Sequence, residues 1–346
     1  MSDLRLKLGQ NLGLLLAVLL FVVFWGVYNS LHPKGFTTDV LVQNANESFV
    51  IVAVAMAQTV PVLAGGLDLS VGSIMTLVNC VASTVVNGSG AQMLGGMLLC
   101  LAVGALAGLV NGLVVVYGRI QPIIATLATG AIYIGIALFI RPTPGGDVDS
   151  DLSWALTNDL RELFATYGLF EDGEAAWLAP VGWLPLPLII MVLVVLLIWI
   201  PFRNSVTGRG VYAIGSSEGA AYMSGVQIDR CKIAAYTLGG FFAGLGGLYL
   251  ALQTSSGNAD VPQAAQYTLN SIAAVVIGGT SLMGGTGGVI GSIFGALVIR
   301  AIAFNFRIFE IEPIMQPLFE GLVLLGAVSI GAARVFRVKN RIELLG

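Results

Sequence analysis

Residues 203–232 read RNSVTGRGVYAIGSSEGAAYMSGVQIDRCK, a polar, basic stretch set between two long apolar runs. It carries Arg203, Arg209, Arg230 and Lys232 against two acids, Glu218 and Asp229. Inside it, 217–224 reads as a short helix. Ser216 or Ser217 caps it, Glu218 in its first turn suits the positive end of the dipole, and Gly225 ends it. A helix this short does not persist alone in water, so a partner surface is expected to hold it. The plainer reading is an ordinary basic loop between two membrane spans.

The runs around that stretch set the class. The chain has 346 residues, 56% hydrophobic and 10% charged, with a mean hydropathy of +0.89. Soluble domains carry roughly 25% charged residues, so this is a polytopic membrane protein. A net charge of −3 without basic patches interleaved with aromatics excludes a nucleic-acid partner. Cys80 and Cys100 lie in apolar runs and Cys231 in the basic loop, so free thiols are expected. The apolar run 12–31 is too long for a signal peptide and reads as a retained first span.

A span needs ~20 mostly apolar residues. On that basis ten are expected, at 11–31, 40–64 (interrupted near Pro61), 70–86, 93–116, 122–140, 184–202, 233–252, 267–282, 287–306 and 313–332. A polar, acidic segment, 141–183, separates a first half (1–140) from a second (184–346), all within one transmembrane domain. Within the acidic segment, 159–167 reads as a short helix. With both ends inside, the inner segments hold eleven Lys and Arg residues and the outer segments four: Lys34, Arg141, Arg161 and Arg307. That balance puts 203–232 in the cytoplasm and 141–183 outside.

Shifting the chain by 191 residues places Gly88 on Gly279, Gly96 on Gly287 and Gly104-Ala105-Leu106 on Gly295-Ala296-Leu297. Pro122-Ile123 then falls on Pro313-Ile314 and Gly130 on Gly321. The offset lays spans three to five on eight to ten. Because five spans is an odd number, the two copies point oppositely through the membrane, a transporter signature.

Two glycine clusters break the spans. In the first, 65–73, Gly65 and Gly66 interrupt a helix, and irregular backbone survives at membrane depth only when protein or water covers it. Asp68, beside Ser70, either caps the following helix or lines the path, and the sequence leaves both open. The second cluster, 277–288, contains Gly278, Gly279 and Thr280. It has no βαβ context, and no lysine follows a glycine, so it is neither a dinucleotide fingerprint nor a phosphate-binding loop. The only histidine is His32, and no triad or metal-ligand spacing is present. Arg300 sits unexpectedly within a span, facing an interface or water. The aromatics Phe241, Phe242, Tyr249 and Phe304 serve packing more readily than sugar stacking.

Four stretches, in order, resemble the permease subunits of ATP-binding-cassette importers for ribose, xylose, galactose and arabinose. They are GGLDLSVGS (65–73); GLVNG (108–112) with QPIIATL (121–127); GRGVYAIG (208–215) with EGAA (218–221) and SGV (224–226); and IAAVVIGGTSL (272–282). The resemblance covers nearly the whole chain. It departs at Thr268-Leu269-Asn270, where the family commonly has Glu-Leu-Asp, and in the length of 141–183.

The resemblance implies an all-α protein of about ten membrane helices with a five-plus-five inverted repeat, in the bacterial cytoplasmic (inner) membrane, both termini cytoplasmic. It implies two cytoplasmic ATPase subunits that hold ATP and Mg, no cofactor on this chain, an extracytoplasmic sugar-binding protein, and a second permease copy or a paralogue. The short cytoplasmic helix would dock into the ATPase. Ala220 and Ala221 are expected at the contact, with Arg209, Ser217, Glu218 and Gly225 around it. A path past Gly65, Gly66, Asp68, Ser70, Asn111, Gly278, Gly279 and Thr280 is expected. The rival readings are an ion-coupled secondary transporter and an ATPase-independent channel; scarce intramembrane charge and the conspicuous inner loop argue against them.

Overall fold

The computed structural model describes residues 12–168 and 180–315, and beyond these 318–319, 321–322 and 325–326. Helices are the regular elements of the described residues. Seven are long and apolar enough to cross a membrane: α1 (Leu12–Leu31), α2 (Thr38–Leu63), α4 (Gly90–Tyr117), α5 (Pro122–Ile140), α8 (Leu186–Asn204), α11 (Ile228–Thr254) and α13 (Val289–Ile308). Between them lie α3 (Val71–Val85), α6 (Ser150–Thr157), α7 (Leu160–Tyr167), α9 (Val206–Ser216), α10 (Glu218–Met223) and α12 (Val261–Ile277). The tenth expected span, 313–332, falls largely outside the described residues.

Two expected spans are shorter than the ~20 residues of a full membrane helix. At 15 residues α3 is about 22 Å long, against a hydrocarbon core of ~30 Å. α12 has 17 residues and is displaced from the expected 267–282. Asp260 accepts from Gln263 N–H at 3.0 Å and Pro262 occupies the first turn, so the helix starts early. Its end is set by Gly279 at φ +81, with Gly279 N–H on Val276 O and Thr280 N–H on Val275 O. Gly65, at φ +79, closes α2 by the same pair of bonds, Gly65 to Val62 and Gly66 to Pro61. α2 therefore runs through Pro61, where an interruption was expected, and breaks only at the glycines. Against Pro61 packs Gly239 of α11.

α2 and α11 form the buried centre, and α1, α5 and α8 present most of their residues outward. Ring stacking of Phe49 on Tyr249, with centroids 3.9 Å apart, joins the two central helices. α4 lies against α11 through Gly104 and Gly108 facing Gly240 and Gly244, where any side chain would strike the opposing backbone. Phe242 and Tyr249 are buried in this centre and Phe304 against Tyr28, so these three aromatics serve packing.

The expected helix at 159–167 is α7, capped by Asp159, whose carboxylate accepts from Glu162 N–H at 3.0 Å. α6 begins against the end of α3, where Asp149 N–H meets Val86 O. At the opposite end of the bundle α9 lies beside the end of α2, with α10 following it.

Candidate coupling and translocation site

The first glycine cluster builds a closed polar network. Asp68 is fully buried. Its Oδ1 accepts from Ser70 N–H at 2.8 Å and Ser70 Oγ at 2.6 Å, and its Oδ2 accepts from Asn111 Nδ2 at 3.3 Å. Asn111 Nδ2 also donates to Ser70 Oγ at 2.7 Å. The Tyr133 hydroxyl lies 3.0 Å from Asn111 Oδ1 and 2.8 Å from Ala107 O. Thr126 Oγ1 accepts from Leu69 N–H at 2.9 Å. With its amide nitrogen turned to the Asp68 carbonyl, Gln58 donates to Asp68 O at 2.7 Å and accepts from Asp68 N–H at 3.3 Å. The break between α2 and α3 is thereby tied to α4 and α5. Asp68 holds the turn that starts α3, and its oxygens are taken up by protein donors.

Thr126 and Tyr133 escaped the reading of the sequence, although they carried a signal. Thr126, Thr129, Gly130 and Tyr133 follow the i, i+3, i+4, i+7 spacing of one helical face, and α5 buries that face. Nearby, Gly72 N–H donates to Thr268 Oγ1 at 3.0 Å, joining α3 to α12.

The polar loop contains the expected short helix and a second one. α10 is capped by Ser217, which accepts from Ala220 N–H at 3.3 Å, and is closed by Gly225 at φ +79. Ala221 packs inward at 4% exposure, whereas Tyr222 (71%) and Met223 (85%) point outward with Ala220. Ala221 was expected at a partner contact; it is buried against its own chain, and Tyr222 and Met223 are the large apolar side chains that α10 turns outward. Glu218 pairs with Lys232 at 2.7 Å, while Arg209 is exposed.

α9 starts at Ser205, whose hydroxyl accepts from Gly208 N–H at 3.0 Å. Three glycines in eight residues hid it from propensity. Its Gly215 lies on Leu63 O and on the Gly284-Gly285 backbone, and Gly284 in turn lies on Gly65. Tyr212 donates to Gly287 O at 3.0 Å. One helix of the polar loop thus touches the second glycine cluster and the end of α2, just before the first.

Gly278, Gly279 and Thr280 take other partners. Gly278 lies on Gly291, Gly279 on Gly13 of α1, and Thr280 Oγ1 accepts from Gly288 N–H at 3.0 Å.

The arginine that the sequence left open has a carboxylate. Arg300 donates to Glu47 Oε2 at 2.8 Å, and Arg307 donates to Glu47 Oε1 at 2.9 Å. Both guanidiniums also sit over the Phe304 ring. This cluster ties α13 to α2. The Glu47 side chain is 16% exposed, so its pairing lies between the buried and surface regimes. Glu47→Ala is expected to lower stability by roughly 2 kcal/mol, and a second change, Arg300→Met, to recover part of it. Thermal unfolding of the single and double variants in detergent checks this; an unchanged single variant rejects it.

These features define a polytopic helical membrane protein whose polar loop is mechanically joined to its broken spans. The chain belongs to the family described as "Branched-chain amino acid transport system / permease component", whose model matches residues 40–328. It is a transport permease subunit, not an enzyme. It is 32% identical over 314 residues to the ribose import permease of Escherichia coli (strain K12), covering 91% of this chain and 92% of that protein. The ribose import permease of Bacillus subtilis (strain 168) is 32% identical over 325 residues, 94% of this chain and 92% of that one. The D-allose transport system permease of Escherichia coli (strain K12) is 28% identical over 313 residues, 90% of this chain and 89% of that one. No solved structure matches the chain.

Proposed function

We infer that this chain is the membrane-spanning subunit of an ATP-binding-cassette importer for a monosaccharide or related small polyol in the bacterial cytoplasmic membrane. The observation that carries the reading is the likeness, over about nine-tenths of each chain, to the ribose import permeases. Cytoplasmic ATPase subunits hold ATP and Mg, a sugar-binding protein delivers from outside, and a second permease copy or paralogue completes the membrane part. ATP binding draws α10 of each permease inward. Its neighbour α9 passes the movement through Gly215 to the end of α2 and to the 284–285 backbone. The Asp68 network keeps the α2–α3 break rigid, so that the helices around it move as bodies.

Ten spans in two inverted copies belong to this reading, and the helix ends support it. Offset by 191 residues, α2 falls on 229–254 and α3 on 262–276, within one residue of the ends of α11 and α12. The end of α4 falls on the end of α13, and the start of α5 on Pro313. α13 starts eight residues late by this rule, where four glycines of 284–288 have positive φ.

With the termini inside, cysteines placed at Asp151 and Ser217, both exposed, are expected to take a membrane-impermeant label from opposite sides. The native Cys80, Cys100 and Cys231 are buried. Labelling of both new positions from one side rejects the topology. The functional test is reconstitution with the ATPase and binding protein. Uptake of a monosaccharide that requires ATP supports the reading; accumulation by this chain alone under an ion gradient overturns it.

A further inference from the structure

Between α4, α8 and α11 the outward surface is hollowed into a groove of about 530 Å³. Ala105 of α4, Ile198 and Phe202 of α8, and Leu238 and Phe241 of α11 give it an almost wholly apolar wall. Its one charged lining residue is Arg230, at the end nearest α10. Arg230 also lines a second hollow at the foot of α10, with Tyr222 and Asp229. The ion pairs among the described residues leave Arg230 out, and the nearby Lys232 is already paired with Glu218. Arg203, exposed, follows Phe202 at the same end.

The groove has the dimensions of one leaflet. From Arg230 to Phe241 the helix rises about 16 Å, half of a hydrocarbon core of ~30 Å. The wall on the α8 side is shaped by a π-turn, Val195–Trp199, closed by Ile200 N–H on Val195 O immediately before Pro201. A widened turn displaces Ile198 from the ordinary helical position, and such turns recur at functional sites.

We propose that this groove holds one acyl chain of an anionic phospholipid, with the phosphate on Arg230. An apolar slot of single-leaflet depth with an unpaired guanidinium at its mouth matches that amphiphile at both ends. Assigning the lipid to the cytoplasmic leaflet rests on the orientation proposed above. The headgroup then lies beside α10, so that lipid charge acts at the element expected to meet the ATPase.

The test uses the full-length chain purified in detergent and exchanged into phosphatidylglycerol or phosphatidylcholine, read by native mass spectrometry and thermal unfolding. Wild type is expected to retain one phosphatidylglycerol per chain, preferred about tenfold over phosphatidylcholine. Arg230→Gln, at an exposed position, is expected to lose that preference and still bind the zwitterionic lipid weakly. Ala234→Trp, which fills the slot, is expected to lose both. Undiminished phosphatidylglycerol preference in Arg230→Gln overturns the proposal. So does an Ala234→Cys chain that crosslinks to a second copy through the groove, because the occupant is then another permease. These readouts do not involve transport, so a failed uptake assay and a failed lipid assay remain distinguishable.

Discussion

Replacing Met223 by glutamate is expected to abolish sugar-stimulated ATP hydrolysis while leaving the permease folded. Met223 is 85% exposed and Tyr222 beside it 71%, two large apolar side chains on a six-residue helix in a charged loop. An apolar pair held outward by a capped, glycine-closed turn is the signature of a contact surface. If an ATPase groove covers it, the new carboxylate is desolvated without a counter-charge. That costs several kcal/mol, enough to weaken assembly more than a hundredfold. Ala221→Glu is the informative contrast. At 4% exposure Ala221 packs against its own chain, so that variant is expected to fail in folding and membrane accumulation before any partner is involved. Co-purification with the ATPase and stimulated hydrolysis, measured for both variants, separate the cases. Wild-type hydrolysis by Met223→Glu would remove α10 from the coupling contact.

Asp68→Ala is expected to be the most damaging single change in the first glycine cluster. It removes the acceptor for Ser70 N–H, Ser70 Oγ and Asn111 Nδ2 at a site with no exposed surface. Stranded buried donors and the cavity together cost about 3 kcal/mol or more. Asp68→Asn keeps an oxygen for Ser70 but turns an amide toward Asn111, so about half that loss is expected. Both variants are expected to lower uptake in proportion to the lost rigidity of the α2–α3 break. Thermal unfolding and uptake measured on the same preparations decide it. A stable Asp68→Ala chain without transport would mean instead that Asp68 meets the substrate directly.

Much of the helical architecture was legible beforehand because apolar length is summed over many residues. The bounds of α5 fall where the sequence placed them, and α10 has the expected Ser217 cap and Gly225 stop. What failed were the local contests at glycine-rich ends. Asp260 and Pro262 started α12 early, and Ser205 nucleated α9 in spite of Gly208, Gly210 and Gly215. Orientation of individual side chains was also beyond reach. Ala220 and Ala221 are identical in composition, and only the packing of the whole chain turns one outward and the other in. Arg300 was conspicuous, but its carboxylate lies 253 positions away, a separation no periodicity records.

The junction of Gly65, Gly215 and Gly284 constrains how this chain can diverge. A methyl group on Gly215 would enter Leu63 O and the Gly285 backbone, one on Gly284 would enter Gly215 and Gly65, and Gly65 itself holds φ +79. These positions belong to three different segments: a side chain at Gly215 or Gly284 would push the neighbouring backbone away, and one at Gly65 would be strained by its own positive φ. Descendants of this sequence are therefore expected to keep the trio intact or to replace it as a block, and any lineage that has lost one glycine should carry a rebuilt loop at the other two.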